Sequence, residues 1–178
     1  MTAEKGPGVD TATSELLDAE RDIQARLGDR PLDFDSLLAV SNIYRAAAAV
    51  RRRAERDLLT PAGLSGGGFT ILWVLSVWGE KETAALAAEC DLAKGTLTGM
   101  VTTLERQALV HRERMPADRR RVTVALTPAG HALIEDLFPR FNAFEGAMTA
   151  DLDLAQKRTL AELLRTVTTI AQADPADD

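Results

Sequence analysis

The run from Thr83 to Gly130 constrains this chain more than any other stretch. It begins TAALAAECDLAKGTLTGMVTTLERQALV and continues HRERMPADRRRVTVALTPAG. Apolar residues recur at Leu86, Ala87 and Cys90, then at Leu97, Met100, Val101 and Leu104. That spacing is one face of each of two short helices, with a break at Cys90-Asp91-Leu92. The outward positions of the second helix are Lys94, Gly95, Thr96, Thr98, Gly99, Thr102 and Thr103, with no acidic residue before Glu105. A helix that enters a groove about 12 Å wide needs such a small, hydroxyl-bearing face. Threonines can donate to phosphates or base edges, their methyls can meet the thymine methyl, and glycines allow close approach.

The second half of the run reads as a two-stranded hairpin. Val110–Arg114 forms one strand, and Arg121–Leu126 another with period-two alternation. Met115–Arg120 makes the turn between them, with basic residues at its tip. Thr127-Pro128 then opens a helix, a Thr cap followed by Pro at the first helical position. Helix, turn, helix and basic hairpin in this order make a winged helix-turn-helix.

The order LAAEC…TLT…LERQALV, then Asp118-Arg119-Arg120, then Leu126-Thr127-Pro-Ala-Gly resembles the signature of the MarR family of bacterial regulators. The resemblance spans roughly Phe34 to Ile170. Two positions depart from the family pattern. Ala93 stands where a capping Ser is usual, and Ala108 where a helix-ending Gly is usual. The second change costs on the order of 1 kcal/mol if that residue is left-handed. Neither removes a proposed DNA contact.

The resemblance implies a fold that is mostly α (α+β), a winged helix-turn-helix with a helical dimerisation region. Residues 61–128 form the DNA-binding domain, 35–60 and 129–174 the dimerisation region, and 1–34 an N-terminal extension. It further implies that Asp118 and Arg120 match the family's wing-tip Asp-x-Arg, with the Arg in the minor groove and the Asp orienting it. A guanidinium suits a narrow, negative A·T-rich groove. The full candidate DNA-binding set is Lys94, Thr96, Thr98, Gly99, Thr102, Arg112, Arg114, Asp118, Arg119 and Arg120. The family also implies a cleft between the dimer helices and the winged unit that often accepts phenolic or other aromatic acids. Arg45 is the candidate carboxylate partner there, with Ser41, Asn42, Trp73, Trp78, His111 and Phe138 as candidate walls. The competing reading is a solvated Arg45 and ordinary core aromatics.

A net charge of −6 looks wrong for a DNA-binding chain until its distribution is considered. Within Asp91–Thr127 there are seven basic and four acidic side chains, and the negative charge lies towards the two ends. The local field steers a phosphate backbone. A hydrophobic content of 46% places the 178-residue chain among globular proteins. No apolar run is long enough for a membrane span, and the N-terminus lacks a signal pattern. The single cysteine, Cys90, suits a reducing cytoplasm. With only His111 and His131 beside it, no metal site or cofactor is expected.

Elsewhere, Ser14–Leu27 reads as a short helix with Leu16, Leu17, Ile23 and Leu27 as its apolar positions. A long helix follows from Leu37 to about Leu58, capped by Asp35 or Ser36, with Leu38, Val40, Ile43, Tyr44, Ala47, Val50 and Ala54 on its buried face. Arg51-Arg52-Arg53 and Arg56 form a solvated face or reach DNA phosphates. Gly66-Gly67-Gly68 is a loop or a weak helix start, and Phe69–Trp78 is apolar nearly all round, as a buried helix must be. Pro139 should kink or break the helix opened by Pro128. Asp151–Ala173 carries a long apolar stripe that reads as an oligomerisation element.

No nucleophile–base pair, paired carboxylates or phosphate-cradling loop points to catalysis. Cys90 sits where a core residue is expected, which favours a buried thiol over a redox switch. The expected function is a transcriptional regulator, a homodimeric repressor of a pseudo-palindromic site on double-stranded DNA, released by a small-molecule effector and acting in the cytoplasm. The alternative is a dimeric scaffold of the same fold without sequence-specific DNA binding.

Overall fold

The computed structural model describes residues 16–28, 30–115 and 118–173, and the side chains of 114–120 lie outside that description. The elements are α1 (Asp18–Leu27), α2 (Phe34–Ala54), a π-helical turn (Glu55–Leu59), α3 (Gly66–Trp78), β1 (Lys81–Glu82), α4 (Thr83–Glu89) and α5 (Lys94–Arg106). Then follow β2 (Val110–Met115), β3 (Asp118–Leu126), α6 (Pro128–Met148) and α7 (Leu154–Gln172). The chain forms two compact units, Met1–Ala48 and Ala49–Asp178. Among the described residues no helix is long and apolar enough to cross a membrane.

In the first unit, α2 starts earlier than the sequence suggests. Asp33, rather than Asp35 or Ser36, is the capping residue: it accepts from the Ser36 amide at 3.0 Å and the Ser36 hydroxyl at 2.6 Å. The Ser36 hydroxyl, then its amide, hold the Asp33 carboxyl below the usual range. The expected buried face of α2 is largely open. Val40, Tyr44, Ala47 and Val50 are exposed, Leu38 and Ile43 half-buried, and only Ala54 is buried.

The second unit is built around α3. Ser65 caps it by accepting from the Gly68 amide at 3.1 Å, so the glycine triplet is a genuine helix start. Phe69, Ile71, Leu72, Val74 and Leu75 are buried in one core with Leu86, Leu97, Val101, Leu104, Val110, Val124, Leu126, Ile134 and Leu137. This core joins α3, α4, α5, the sheet and α6. The sheet has the order β1-β3-β2, antiparallel throughout. Its third strand, β1, went unseen in the sequence because two residues carry no period. It pairs Lys81 with Val124 and Glu82 with Thr123.

Pro139 does not interrupt α6, which runs unbroken from Pro128 to Met148. A proline inside a helix costs about 3 kcal/mol, and tertiary packing on either side of it opposes that cost. Ile134 and Leu137 are buried. Phe138 stacks on Trp73 with ring centroids 4.2 Å apart, and Phe141 stacks on Phe69 at 4.4 Å. Each stacked pair contributes about 0.5–1.5 kcal/mol beyond area burial.

The Thr-Pro-Ala-Gly sequence has a local cause for each of its ends. Thr127 Oγ1 accepts from the Gly130 amide at 3.0 Å and donates to the Ala108 carbonyl at 2.6 Å. A Cβ at Gly130 would lie 2.1 Å from the Leu109 carbonyl oxygen, so only glycine lets α6 approach the start of β2. Ala108 itself is left-handed, with φ of 56°. Gly130→Ala should therefore lower stability by about 1–3 kcal/mol. Ala108→Gly should raise it by up to about 1 kcal/mol, the relief of αL strain less the extra entropy of glycine. Denaturant midpoints of the two variants check both signs.

Candidate nucleic-acid interface

The helix-turn-helix forms because α4 and α5 each bury one face. Leu86 and Ala87 of α4 and Leu97, Val101 and Leu104 of α5 enter the core. The turn between them passes through Asp91 at φ of 51°, a conformation Asp tolerates better than most residues. Ala93 is the N-cap of α5 and makes no side-chain cap, as its departure from the family pattern implies.

With the inner face fixed, the outer face of α5 is fixed too. Lys94, Gly95, Thr96, Thr98, Gly99, Thr102 and Thr103 are all exposed. The hydroxyls of Thr98, Thr102 and Thr103 donate back to the carbonyls of Lys94, Thr98 and Gly99 at 2.8, 2.8 and 3.2 Å. Their donors are thus spent on the helix, leaving methyl groups and hydroxyl lone pairs for a partner. A Cβ added at Gly95 or Gly99 would meet nothing within 4 Å. Glycine in an exposed helix interior costs roughly 0.5–1 kcal/mol against alanine, and no contact among the described residues requires it at either place.

Arg112 is held inside the unit. In the β2–β3 register Val110 faces Leu126 and Arg112 faces Val124, so Arg112 lies on the core side of the sheet. Its guanidinium donates to the Thr98 carbonyl at 3.0 Å and to Thr102 Oγ1 at 2.8 Å, and it pairs with Glu105 at 3.4 Å. It braces the hairpin against the outer edge of α5. The sequence places Arg112 in the candidate DNA-binding set; the strand's period-two pattern, carried from Val110, is the signal that it lies on the core side of the sheet. Arg121 pairs with Glu82 across β3 and β1, and Lys81 pairs with Glu89 at 2.6 Å. On the surface of the π-helical turn, Arg53 and Arg56 pair with Asp57. Arg114, Asp118, Arg119 and Arg120 lie on the two long strands, but their side chains are outside the described residues.

Of the candidate ligand residues, Ser41, Asn42 and Arg45 belong to the first unit and Trp73, Trp78, His111 and Phe138 to the second. Asn42 and Arg45 of α2 come together on the carboxylate of Glu20, and Ser41 beside them is half-buried. Trp73 and Phe138 come together as a stacked pair. Trp78 and His111 are exposed. Cys90 is half-buried; burial first, then the Glu89 carboxylate, push its thiol above the ordinary value. A raised thiol has little thiolate, the reactive form, which argues against a peroxide switch.

The MarR family model matches residues 64–122. An HTH-type transcriptional regulator of Bacillus subtilis, YwaE, which is itself uncharacterised, is 32% identical over 156 residues, covering 86% of this chain and 91% of YwaE. The chain belongs to the MarR family. Like its relatives, this MarR-family member is a DNA-binding transcriptional regulator. Its fold matches that of Sco3205 from Streptomyces coelicolor, a MarR-family regulator solved in complex with DNA. The TM-score is 0.71 at 24% identity, over 83% of this chain and 94% of that one. It also matches BpsR of Bordetella bronchiseptica, whose DNA binding is regulated by 6-hydroxynicotinic acid. There the TM-score is 0.68 at 24% identity, over 74% and 98% of the two chains.

The brace made by Arg112 predicts a specific thermodynamic signature. Arg112→Ala should weaken DNA binding while leaving the slope of log affinity against log salt unchanged. Loss of a direct phosphate contact would instead lower that slope by about 0.9. A salt series on parent and variant with one duplex distinguishes the two.

Proposed function

We propose that this MarR-family regulator is a homodimeric repressor that reads a pseudo-palindromic operator with α5 and is released by an aromatic acid. The observation that carries the DNA part is the pair of exposed glycines, Gly95 and Gly99, on the outer face of α5. They weaken the helix and serve no contact among the described residues. A helix surface kept small at its own expense suits close approach to base edges and phosphates. Lys94, Thr96, Thr98, Gly99 and Thr102 then face the major groove, and Arg114, Asp118, Arg119 and Arg120 of the wing face the adjoining minor groove and phosphates.

The dimer is supported by α7. None of its residues is buried, and Leu154, Leu160, Leu163, Leu164, Val167 and Ile170 are all exposed on it. Tyr44 of α2 is 73% exposed. Apolar stripes of this length mark association surfaces, so 35–60 and 129–174 form the dimerisation region. A two-fold dimer places half-sites about one helical turn apart. An acid effector releases the operator only if it binds the DNA-free spacing of the two reading helices more tightly than the bound one. BpsR, with its 6-hydroxynicotinic acid, supplies the precedent for that effector class.

A random-sequence binding selection tests the reading, run in parallel on the parent and Arg120→Ala, with sedimentation reporting the oligomer. The parent should enrich an inverted repeat as a dimer, and Arg120→Ala should bind it more weakly while staying dimeric. Failure to enrich any sequence at moderate salt would favour the scaffold alternative. Gly99→Ala adds an independent sign: it should raise stability by about 0.5–1 kcal/mol while reducing affinity for the selected operator. A variant that gains stability and keeps full affinity would take Gly99 out of the interface.

A further inference from the structure

Glu20 is the one charged side chain buried among the described residues, only 4% exposed. It sits in the first turn of α1, and its two oxygens do different things. Oε2 accepts the Leu17 backbone N–H at 2.8 Å, which closes the start of α1. Oε1 accepts from Asn42 Nδ2 at 2.5 Å and from Arg45 Nη1 at 3.4 Å, two donors three residues apart on α2. The Leu17 amide first, then the Asn42 amide, and finally the Arg45 charge hold this carboxyl below its ordinary value against the opposing effect of burial. At neutral pH Glu20 is therefore an anion seated on an amide and a guanidinium. Asn42 and Arg45 form a carboxylate-binding pair, and the chain's own side chain is the bound example.

The capping role accounts for one oxygen only. The other makes the side-chain hydrogen bonds that join α1 to α2 among the described residues. In α1 and its flank, Leu16, Ile23 and Leu27 are half-buried and Leu17 is exposed. A helix of ten residues is too short to persist by itself in water. Its docking therefore draws on one carboxylate oxygen shared by an amide and a guanidinium, and a short, half-buried element held in this way belongs to the easily opened end of a structure.

We propose that Glu20 is a tethered competitor for the effector's carboxylate, so that an acid reaches Asn42 and Arg45 only by displacing Glu20 and releasing α1. This rests on the reading of the chain as an acid-responsive regulator and adds how that response is gated. A side chain on a short tether competes at an effective concentration in the millimolar range. An acid that offers its carboxylate alone loses to it at low concentration. One that adds ring contacts wins, so the N-terminal helix sets both the response threshold and a demand for more than a charge. The N-terminal extension thereby acquires a role as a built-in filter.

The test is calorimetric titration of the full chain with 6-hydroxynicotinate and with its neutral amide. Parent, Glu20→Ala, Arg45→Ala and the double variant are compared. Glu20→Ala should bind the acid roughly tenfold or more tightly than the parent, the double variant should lose that gain, and amide binding should not change between parent and Glu20→Ala. In the parent, saturating acid should speed hydrogen exchange of the α1 amides, a readout that needs no substitution. Equal acid affinity in parent and Glu20→Ala, with the acid still releasing the selected operator, would overturn the competitor role and leave the effector reading standing. Unchanged α1 exchange in acid-saturated parent would overturn it as well. If the acid binds none of the four proteins, the competitor and the acid-effector reading fall together, while operator binding is judged by the selection alone.

Discussion

The structure depends on how α5 is held. Leu97, Val101 and Leu104 are buried against α3 and the sheet, with Leu97 and Val101 almost wholly removed from water. A helix anchored through residues three and four apart has no rotational freedom left. The direction of Lys94, Thr98 and Thr102 is then a consequence of the core, not of any interaction they make themselves. Side elements reinforce the same setting. Arg112 ties the hairpin to the Thr98–Glu105 edge of α5, and Thr127 ties α6 to its carbonyl end at Ala108. Gly67 lets the start of α3 come against Met100, where a Cβ would fall 2.6 Å from the sulfur. A reading surface made of small residues has to be positioned by what lies behind it, because it has little mass of its own with which to adjust.

Much of this was legible because it is periodic. The inner faces of α4 and α5, the all-round apolar α3 and the alternating β3 follow from spacing, and the structure places them accordingly. Ala108 was legible in a different way, through the family pattern that has a helix-ending Gly at this place, and its φ of 56° is the left-handed value such a position takes. What was not legible depends on tertiary partners. Pro139 breaks an isolated helix but not one clamped by Phe138 on Trp73 and Phe141 on Phe69. The strand β1 exists only because β3 offers it an edge. The inward turn of Arg112 was readable in principle from the strand period. Its charge, counted as a contribution to the field, obscured that. Glu20 was the hardest: a Glu on a polar-looking short helix carries no sign of burial until the Asn42 and Arg45 side chains are seen to converge on it.

The same distinction separates the two kinds of exposed residue in this chain. Leu163 and Ile170 on α7 are exposed at 61% and 71%. Their stripe is apolar and regular, so a surface that covers it gains by burial. Gly95 and Gly99 are exposed with nothing to bury. A missing partner for such a face gains by proximity, through backbone and methyl contacts and through hydroxyl oxygens that still accept. Net charge of −6 over the chain does not oppose this, since the basic excess lies in the segment that carries α5 and the hairpin.

Sequences that specify one structure satisfy local rules nearly everywhere, and the exceptions tend to lie at functional or strained sites. Here they cluster. Ala93 leaves the start of α5 without a side-chain cap, glycines weaken its outer face, and Ala108 strains its exit. A buried anion links α1 to α2 where an apolar pair would hold at least as well. The strain at Ala108 has a structural return, the compact junction with Thr127 and Gly130. Glu20 closes the start of α1 as well as joining it to α2, whereas Ala93 and the two glycines have no such return among the described residues. An outer face built on glycines lets a groove come close to the backbone of α5, and an ionic latch is open to a competing carboxylate where a hydrophobic contact is not. In the regulator we propose, local instability at these two places is the physical form that responsiveness takes.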